Sequence, residues 1–238
     1  MTAAGDSGKS QIKKFVYKAR GIALRGSIRK PFFQELGEHA AVETHAGTSG
    51  REHSHSSNFS VDGFIRYAAA FSEVNTEMIG EKPARRFRTQ VLSVVEGLDV
   101  LQGRITADRV VSKLTSVFDE RFYAQERVPR ISPAGSRFDN FRIDGELQDI
   151  ELPPAFTREN DDDFFNHECG KDVISPAILA KPFHKEGLGT VYFAEWVWVH
   201  PDEMEQQALV MLRLALGSED GMDADVAMAF SDGTGIDP

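Results

Sequence analysis

"RFRTQVLSVVEGLDVLQGRITADRVVSKLTSVF", residues 86–118, is the stretch on which the fold turns. Val91, Val94, Val95, Leu98, Val100 and Leu101 run up to the turn-like "QGRITAD", and Val110, Val111, Leu114 and Val117 follow it. Two β-branched runs on either side of "LQG" predict two strands packed as a hairpin. The second arm, "ADRVVSKLTSVF", also satisfies the i, i+3, i+4, i+7 spacing of a helix, so its period alone leaves strand and helix open.

The segments on either side lean toward strand. In "KFVYKARGIALRGSIRK" Val16, Ile22, Leu24 and Ile28 share one parity while Tyr17, Arg25 and Arg29 share the other. Gly21 and Gly26 interrupt this period of two, which predicts a long strand with a bend or bulge. Past Pro31, two candidate strands flank the turn "AGTSG". On the second of these, His53, His55, Ser57, Phe59 and Val61 alternate with Ser54, Ser56, Asn58, Ser60 and Asp62, so the histidines are expected to continue toward an apolar face. "DGFIRYAAAFSEVN" resumes as a strand anchored by Tyr67 and Phe71, with a short helix over Ala68 to Ala70 as the alternative.

Further along, "SRFDNFRIDGELQDIEL" alternates around an Asp144-Gly145 turn. Residues from about 152 to 188 hold four prolines and little period, which reads as one long loop insertion. "GTVYFAEWVWVHP", "QQALVMLRLALGS" and "MDADVAMAFSDGTG" close the chain as alternating segments. The expectation is all-β: an antiparallel β-sandwich or jelly-roll-like fold with at most short helices. Residues 1–12, rich in Gly, Ser and Ala, read as a flexible lead, and 13–238 as a single β domain carrying the insertion.

Composition bounds the function. With 41% hydrophobic residues, 27% charged and 17 Phe, the chain of 238 residues can build a core, which excludes wholesale disorder. The net charge of −10 is uneven: residues 1–60 hold nine basic and five acidic residues, residues 201–238 one Arg and nine acids. Ends of opposite sign suit head-to-tail attraction between copies, and equally suit solvated termini of arbitrary sign. The single Cys169 forms no intramolecular disulfide, which fits a reducing compartment. No apolar run approaches the roughly 18 residues that cross a bilayer, and no signal peptide is visible, so the simplest expected location is cytoplasmic.

Candidate chemistry is sparse. His53 and His55, completed by His45, His39 or Glu43, could gather a zinc or nickel ion; exposed histidines on a Ser-rich strand are the plainer reading. Asp161, Asp162 and Asp163, with Glu159, His167 and Glu168, offer hard oxygen ligands without the Gly and spacing of an EF-hand loop, so a solvated acidic loop competes. There is no GxSxG elbow, no motif around Cys169, and no GxxxxGK[ST] or GxGxxG run. A glycosidase couple of Glu195 and Asp149 has no support beyond residue type. No enzymatic activity and no cofactor are expected. "KSQIKKFVYKARGIALRGSIRK" has eight Lys or Arg, yet the overall charge opposes a phosphate backbone, which ranks nucleic acid behind protein contact.

The succession "VVEGLDVLQGRITAD", "SRFDNFRIDGELQDIELP", "GLGTVYFAEW" and "LRLALGSEDGMDADVAMAFSDG", spanning roughly residues 85–238, resembles the bacterial β-rich proteins called choice-of-anchor domains. The resemblance implies an all-β fold, no catalytic residues, and a surface or structural role, with cell-surface or extracellular assembly as the alternative location. The chain departs from that pattern in lacking a secretion signal and a sorting tail after "DGTGIDP". The functional expectation is a structural protein that assembles with itself into a ring, shell or filament. Its N-terminal strand (Phe15, Tyr17, Ile22, Leu24, Arg25, Ile28, Arg29) would add to a neighbour's sheet, its cations facing acids such as Asp223 and Asp225. A contact to another protein, or a β module that grips a metal ion or glycan through the His-containing arms and the acidic insertion, is the alternative.

Overall fold

The computed structural model of the protein describes residues 15–120, 130–157, 177–199, 206–217 and 222–233. Residues 86–118 are strands throughout, apart from the turn that joins them. Strands β6 (Arg86–Val100) and β7 (Ile105–Asp119) pair antiparallel from Arg86 opposite Asp119 to Val100 opposite Ile105. Leu101 and Gln102 turn the chain with φ of 53° and 55°, the left-handed pair that matches the twist of the flanking strands. β7 is paired with β6 along its whole length, and buried side chains lie on both of its faces, Val111 and Ser112 next to Val110, and Thr115 and Ser116 next to Leu114, so the second arm is a strand and the helical alternative falls.

Around this hairpin the chain lays down two antiparallel sheets packed as an open sandwich. The N-terminal half supplies β1 (Tyr17–Lys30), β2 (Gln34–His39), β3 (Val42–Ala46), β4 (Gly50–Val61) and β5 (Ile65–Ile79). After β7 come the short β8 (Arg130–Ser132), β9 (Arg137–Asp139), β10 (Arg142–Ile143) and β11 (Glu146–Leu147), then a single helical turn, α1 (Pro154–Thr157). The chain ends in β12 (Ala177–Lys185), β13 (Gly189–Val199), β14 (Gln206–Gly217) and β15 (Asp223–Gly233). One sheet runs β12-β13-β14-β15-β1-β2, with β3 also on β1; the other runs β11-β10-β7-β6-β5-β4, with β8 and β9 on β7. The first and last strands therefore lie side by side, and the two ends of the chain complete one sheet.

Each sheet is crossed by a line of left-handed residues. Asn58 (φ 53°), Gly97 (φ 63°) and Asn140 (φ 50°) mark it in the second sheet, Ala194 and Ala229 (both φ 51°) in the first. The strand pairing resumes beyond the line without a slip: Ile22 faces Phe230 and Leu24 faces Met228 on either side of it. A left-handed residue reverses the alternation of faces, so the parity that is buried below the line is exposed above it. β1 has no left-handed residue where the line crosses it, yet its buried parity changes there too, from the odd Tyr17 and Ala19 to the even Leu24 and Ile28, with Ile22, Ala23 and Leu24 all buried at the crossing. In β4 His53 and His55 are exposed while Phe59 is half-buried and Val61 buried. The expectation that the histidines lead onto the apolar face is corrected here, because Asn58 turns the strand over between them and Phe59.

The main core lies between the sheets and reaches to both sides of this line, from Leu24, Ile28, Val95, Leu98 and Leu114 to Phe193, Trp196, Leu212 and Met228. Near the line the sheets meet through small polar side chains. Ser72 Oγ donates to Ser93 Oγ (2.9 Å), Ser93 Oγ donates to the Phe230 carbonyl (2.7 Å), and Ser231 Oγ donates to the Ser112 carbonyl (3.3 Å). These bonds satisfy buried backbone and hydroxyl groups that would otherwise cost about 1–3 kcal/mol each.

The inferred insertion is shorter than its sequence suggested. Residues 177–185 are β12, an edge strand on β13 whose register shifts between Ala180 and Phe183, around Pro182. Proline removes a ladder donor and is tolerated at an edge bulge, so the residue that argued for a loop sits where a strand accepts it. Residues 158–176, with Asp161, Asp162 and Asp163, lie outside the described residues. The Asp144-Gly145 turn forms as read, with φ of 49° and 82°, joining β10 to β11.

Candidate functional site

β4 is the most exposed long strand among the described residues. From Gly50 to Ser60 each of its residues is exposed or half-buried. One edge pairs with β5 from Gly50 opposite Thr76 to Val61 opposite Ile65. No described strand pairs with the other edge, which leaves a row of backbone donors and acceptors open to solvent.

The inner face of β4 is tied down by short-range contacts. Thr44 Oγ1 donates to Glu52 (3.2 Å), Tyr67 OH donates to Ser56 Oγ (2.9 Å), and the Phe59 ring lies 4.1 Å from the imidazole of His39. His39 also meets the Leu36 carbonyl through Nε2 at 2.7 Å. On the outer face Arg51 forms an ion pair with Glu73 of β5 (2.6 Å), and Glu73 stands opposite His53 in the ladder. His53 and His55 lie on that face, two residues apart and exposed.

His45 is elsewhere. It lies on β3, paired with Lys18 in the other sheet, so the three histidines do not converge. Among the described residues no group of three His, Cys, Asp or Glu side chains is placed to hold a metal ion. Asp149 is exposed in the segment after β11, whereas Glu195 is buried in β13 and lies 3.8 Å from Arg213.

The seven residues of the N-terminal strand singled out for assembly are used inside the chain. The Phe15 ring stacks on Phe87 at 4.1 Å and meets Tyr17 edge-on at 4.9 Å. Ile22, Leu24 and Ile28 are completely buried. Arg25 places its guanidinium 4.6 Å from the centre of the Phe230 ring, and Arg29 reaches Asp223 at 3.4 Å. Both edges of β1 are occupied, by β15 on one side and by β2 and β3 on the other. The cations do face Asp223 and Asp225, but within one molecule.

Sequence reasoning passed over a charged layer on the face of the first sheet that points away from the second. Arg213 of β14 binds Asp225 of β15 through two bonds, 2.9 and 2.8 Å. That pairing holds the Asp225 carboxyl below the usual range. Burial raises Glu195 in spite of Arg213, and pushes Asp232 up to about 7. Perturbed carboxyls accompany active sites when a cleft surrounds them. A cleft of about 300 Å³ opens elsewhere, between the β4–β5 and β6–β7 turns, lined by Asp62, Gly63, Arg66, Asp99 and Gln102. There Arg66 Nε is bonded to Asp99 at 3.0 Å. The signal available in sequence was Arg213 within the apolar run of β14 and Glu195 among aromatics; neither reveals its neighbours.

The fold and its open edge define the class: an open antiparallel β-sandwich with strands from both chain ends in one sheet. Residues 15–172 match the family described as Domain of unknown function (DUF8256), and the chain belongs to that family. The match covers β1 to β11 and ends before β12 to β15, the strands that complete the first sheet. No curated protein and no solved structure matches the chain. No described helix is long and apolar enough to cross a membrane.

Proposed function

We propose that the protein is a non-enzymatic structural module that assembles with copies of itself through the open edges of its sheets. The observation that carries this reading is β4, a long polar strand that among the described strands is hydrogen-bonded along one edge only. An edge of this kind is a ready template for another strand. The N-terminal strand is not the donor, since both its edges are filled; the contact passes to β4.

Pairing of β4 with its own copy is isologous and closes a dimer. β12, the far edge of the first sheet, carries the exposed Ile178 and supplies a second, different contact. Two distinct edges convert dimers into a ring, shell or filament. The likeness of the strand succession to choice-of-anchor domains supports a structural role.

Light scattering behind size exclusion on the untagged protein, with negative-stain imaging of the same fractions, tests this. Masses in multiples of the 26.4 kDa chain with a defined particle are expected. A monodisperse monomer at all accessible concentrations would overturn the reading.

A further inference from the structure

His53 and His55 are left unexplained by strand pairing alone. They stand two residues apart on the outer face of a strand whose neighbouring edge is open. Alternate residues along a strand lie about 6.6 Å apart, within reach of one ion for two imidazoles with Zn–N bonds of about 2.0 Å. A structural zinc takes four ligands, and a single copy offers two. Glu73, the acid opposite His53, is engaged by Arg51 at 2.6 Å, and no third ligand group is assembled among the described residues.

A second copy supplies what is missing. The straight part of β4 runs from Gly50 to Ser57, bounded by the turn before it and by the left-handed Asn58. Antiparallel pairing of this segment with its own copy keeps the outer face outermost only when residues of equal parity stand opposite one another. Two such registers use it equally fully, centred on His53 or on Ser54, and the one centred on Ser54 is the one that brings all four histidines of two copies together. It sets Arg51 opposite Ser57, Glu52 opposite Ser56, and His53 opposite His55 of the second copy. Directly opposed Cβ atoms in such a pair are about 5 Å apart, so the four imidazoles form a compact patch on one face of the joined sheet.

We infer that a divalent transition-metal ion, ligated by His53 and His55 of two copies, clamps β4 to β4 and so controls the assembly. Ligand type selects the metal class: imidazoles favour zinc, copper or nickel over calcium or magnesium. This rests on β4 being an assembly edge, and adds the ion that closes it.

The test uses the untagged full chain stripped with EDTA and then titrated with zinc chloride, reading mass by light scattering and bound zinc by elemental analysis. The expected result is one zinc per two chains, a twofold step in mass, and its reversal by EDTA. His53→Ala and His55→Ala should each abolish the step while leaving the far-UV spectrum and melting temperature of the stripped protein in place. His45→Ala, on the other sheet, should leave it intact. Assembly unaffected by EDTA and by His53→Ala would overturn the metal clamp while keeping edge assembly. Zinc bound at one per chain with no change in mass, or a response lost on His45→Ala, would also overturn it. A protein monomeric with and without zinc overturns both.

Discussion

β1 and β4 look alike as sequence: both are long, both mix charge with alternation, and both carry an interruption, Gly21 and Gly26 in one and Asn58 in the other. In the folded chain they take opposite positions. β1 lies inside its sheet, hydrogen-bonded on both sides, with Ile22, Ala23 and Leu24 completely buried in succession. β4 lies at the rim with β5 as its one partner among the described strands. The difference teaches that period and charge identify a strand, while its neighbours are set by contacts far away in the chain, here between β1 and β15. The one local clue is the run of adjacent apolar residues in β1, the mark of a strand covered on both faces; β4 has serines in the same place.

The comparison breaks most decisively by deletion. Removing residues 1–30 takes away β1 and exposes the inner edges of β15, β2 and β3, so the truncated chain should show no cooperative unfolding by circular dichroism. A cooperative transition in that variant would mean that β1 is dispensable and that its central place is wrong. A subtler break is Gly26→Ala. Gly26 has φ of 150°, and a Cβ there would run into the backbone carbonyl of Asp225 on β15. Backbone strain and overpacking together should cost about 3 to 5 kcal/mol, read as a fall in the urea midpoint. Insensitivity to this substitution would mean that β1 and β15 are not pressed together.

Charge on the outer face of the first sheet gives a pH-dependent version of the same test. Asp232 of β15, which stands opposite Arg20 of β1, is held protonated by burial up to a pH of about 7. An unfolded aspartate ionises near pH 3.9. Between about pH 4 and 7 the folded chain therefore holds more protons than the unfolded one, and stability falls as pH rises through this window. The fall is of the order of a few kcal/mol, because each pH unit between the folded and unfolded ionisations contributes about 1.4 kcal/mol. Asp232→Asn does not titrate, so its stability should gain on the parent protein from pH 4 to pH 7 and hold that gain at pH 8. Parallel urea-stability curves for the two proteins across that range would show that the β1–β15 region does not bury this carboxyl.

How much of this was legible in sequence follows from which rules are local. The β6–β7 hairpin and the Asp144-Gly145 turn were readable because alternation and turn chemistry are set by adjacent residues. The face of His53 and His55 was not, because one left-handed residue, Asn58, reverses every assignment beyond it. Ala194 and Ala229 hold the same conformation with no local preference for it; the sheet around them imposes it. β12 was hidden by Pro182, whose tolerance depends on the strand being at an edge. Glu195, Arg213 and Asp232 were individually visible, but their surroundings come from strands distant in sequence, Glu195 and Arg213 from β13, β14 and β15, and Asp232 from β14 and β1.

The smallest expected effect on stability falls on β4, and it separates the two strands most sharply. Ser57 is exposed on the outer face, just before Asn58, and the Ser54-centred register sets it opposite Arg51 of a second copy. Ser57→Lys should leave the unfolding free energy of each chain within about 0.5 kcal/mol of the parent, as surface substitutions do. Across the pair of strands it places lysine against arginine twice, and directly opposed like charges are destabilising. The variant should therefore lose the β4 contact and run at a smaller mass than the parent. Glu81→Lys, a change toward positive charge at the exposed turn between β5 and β6, is the control and should retain the parent mass. If Ser57→Lys and Glu81→Lys assemble alike, β4 is a solvated rim and the contact between copies belongs to another edge. If only Ser57→Lys loses mass, the same kind of sequence has served in one strand to hold the sheet together and in the other to leave it open.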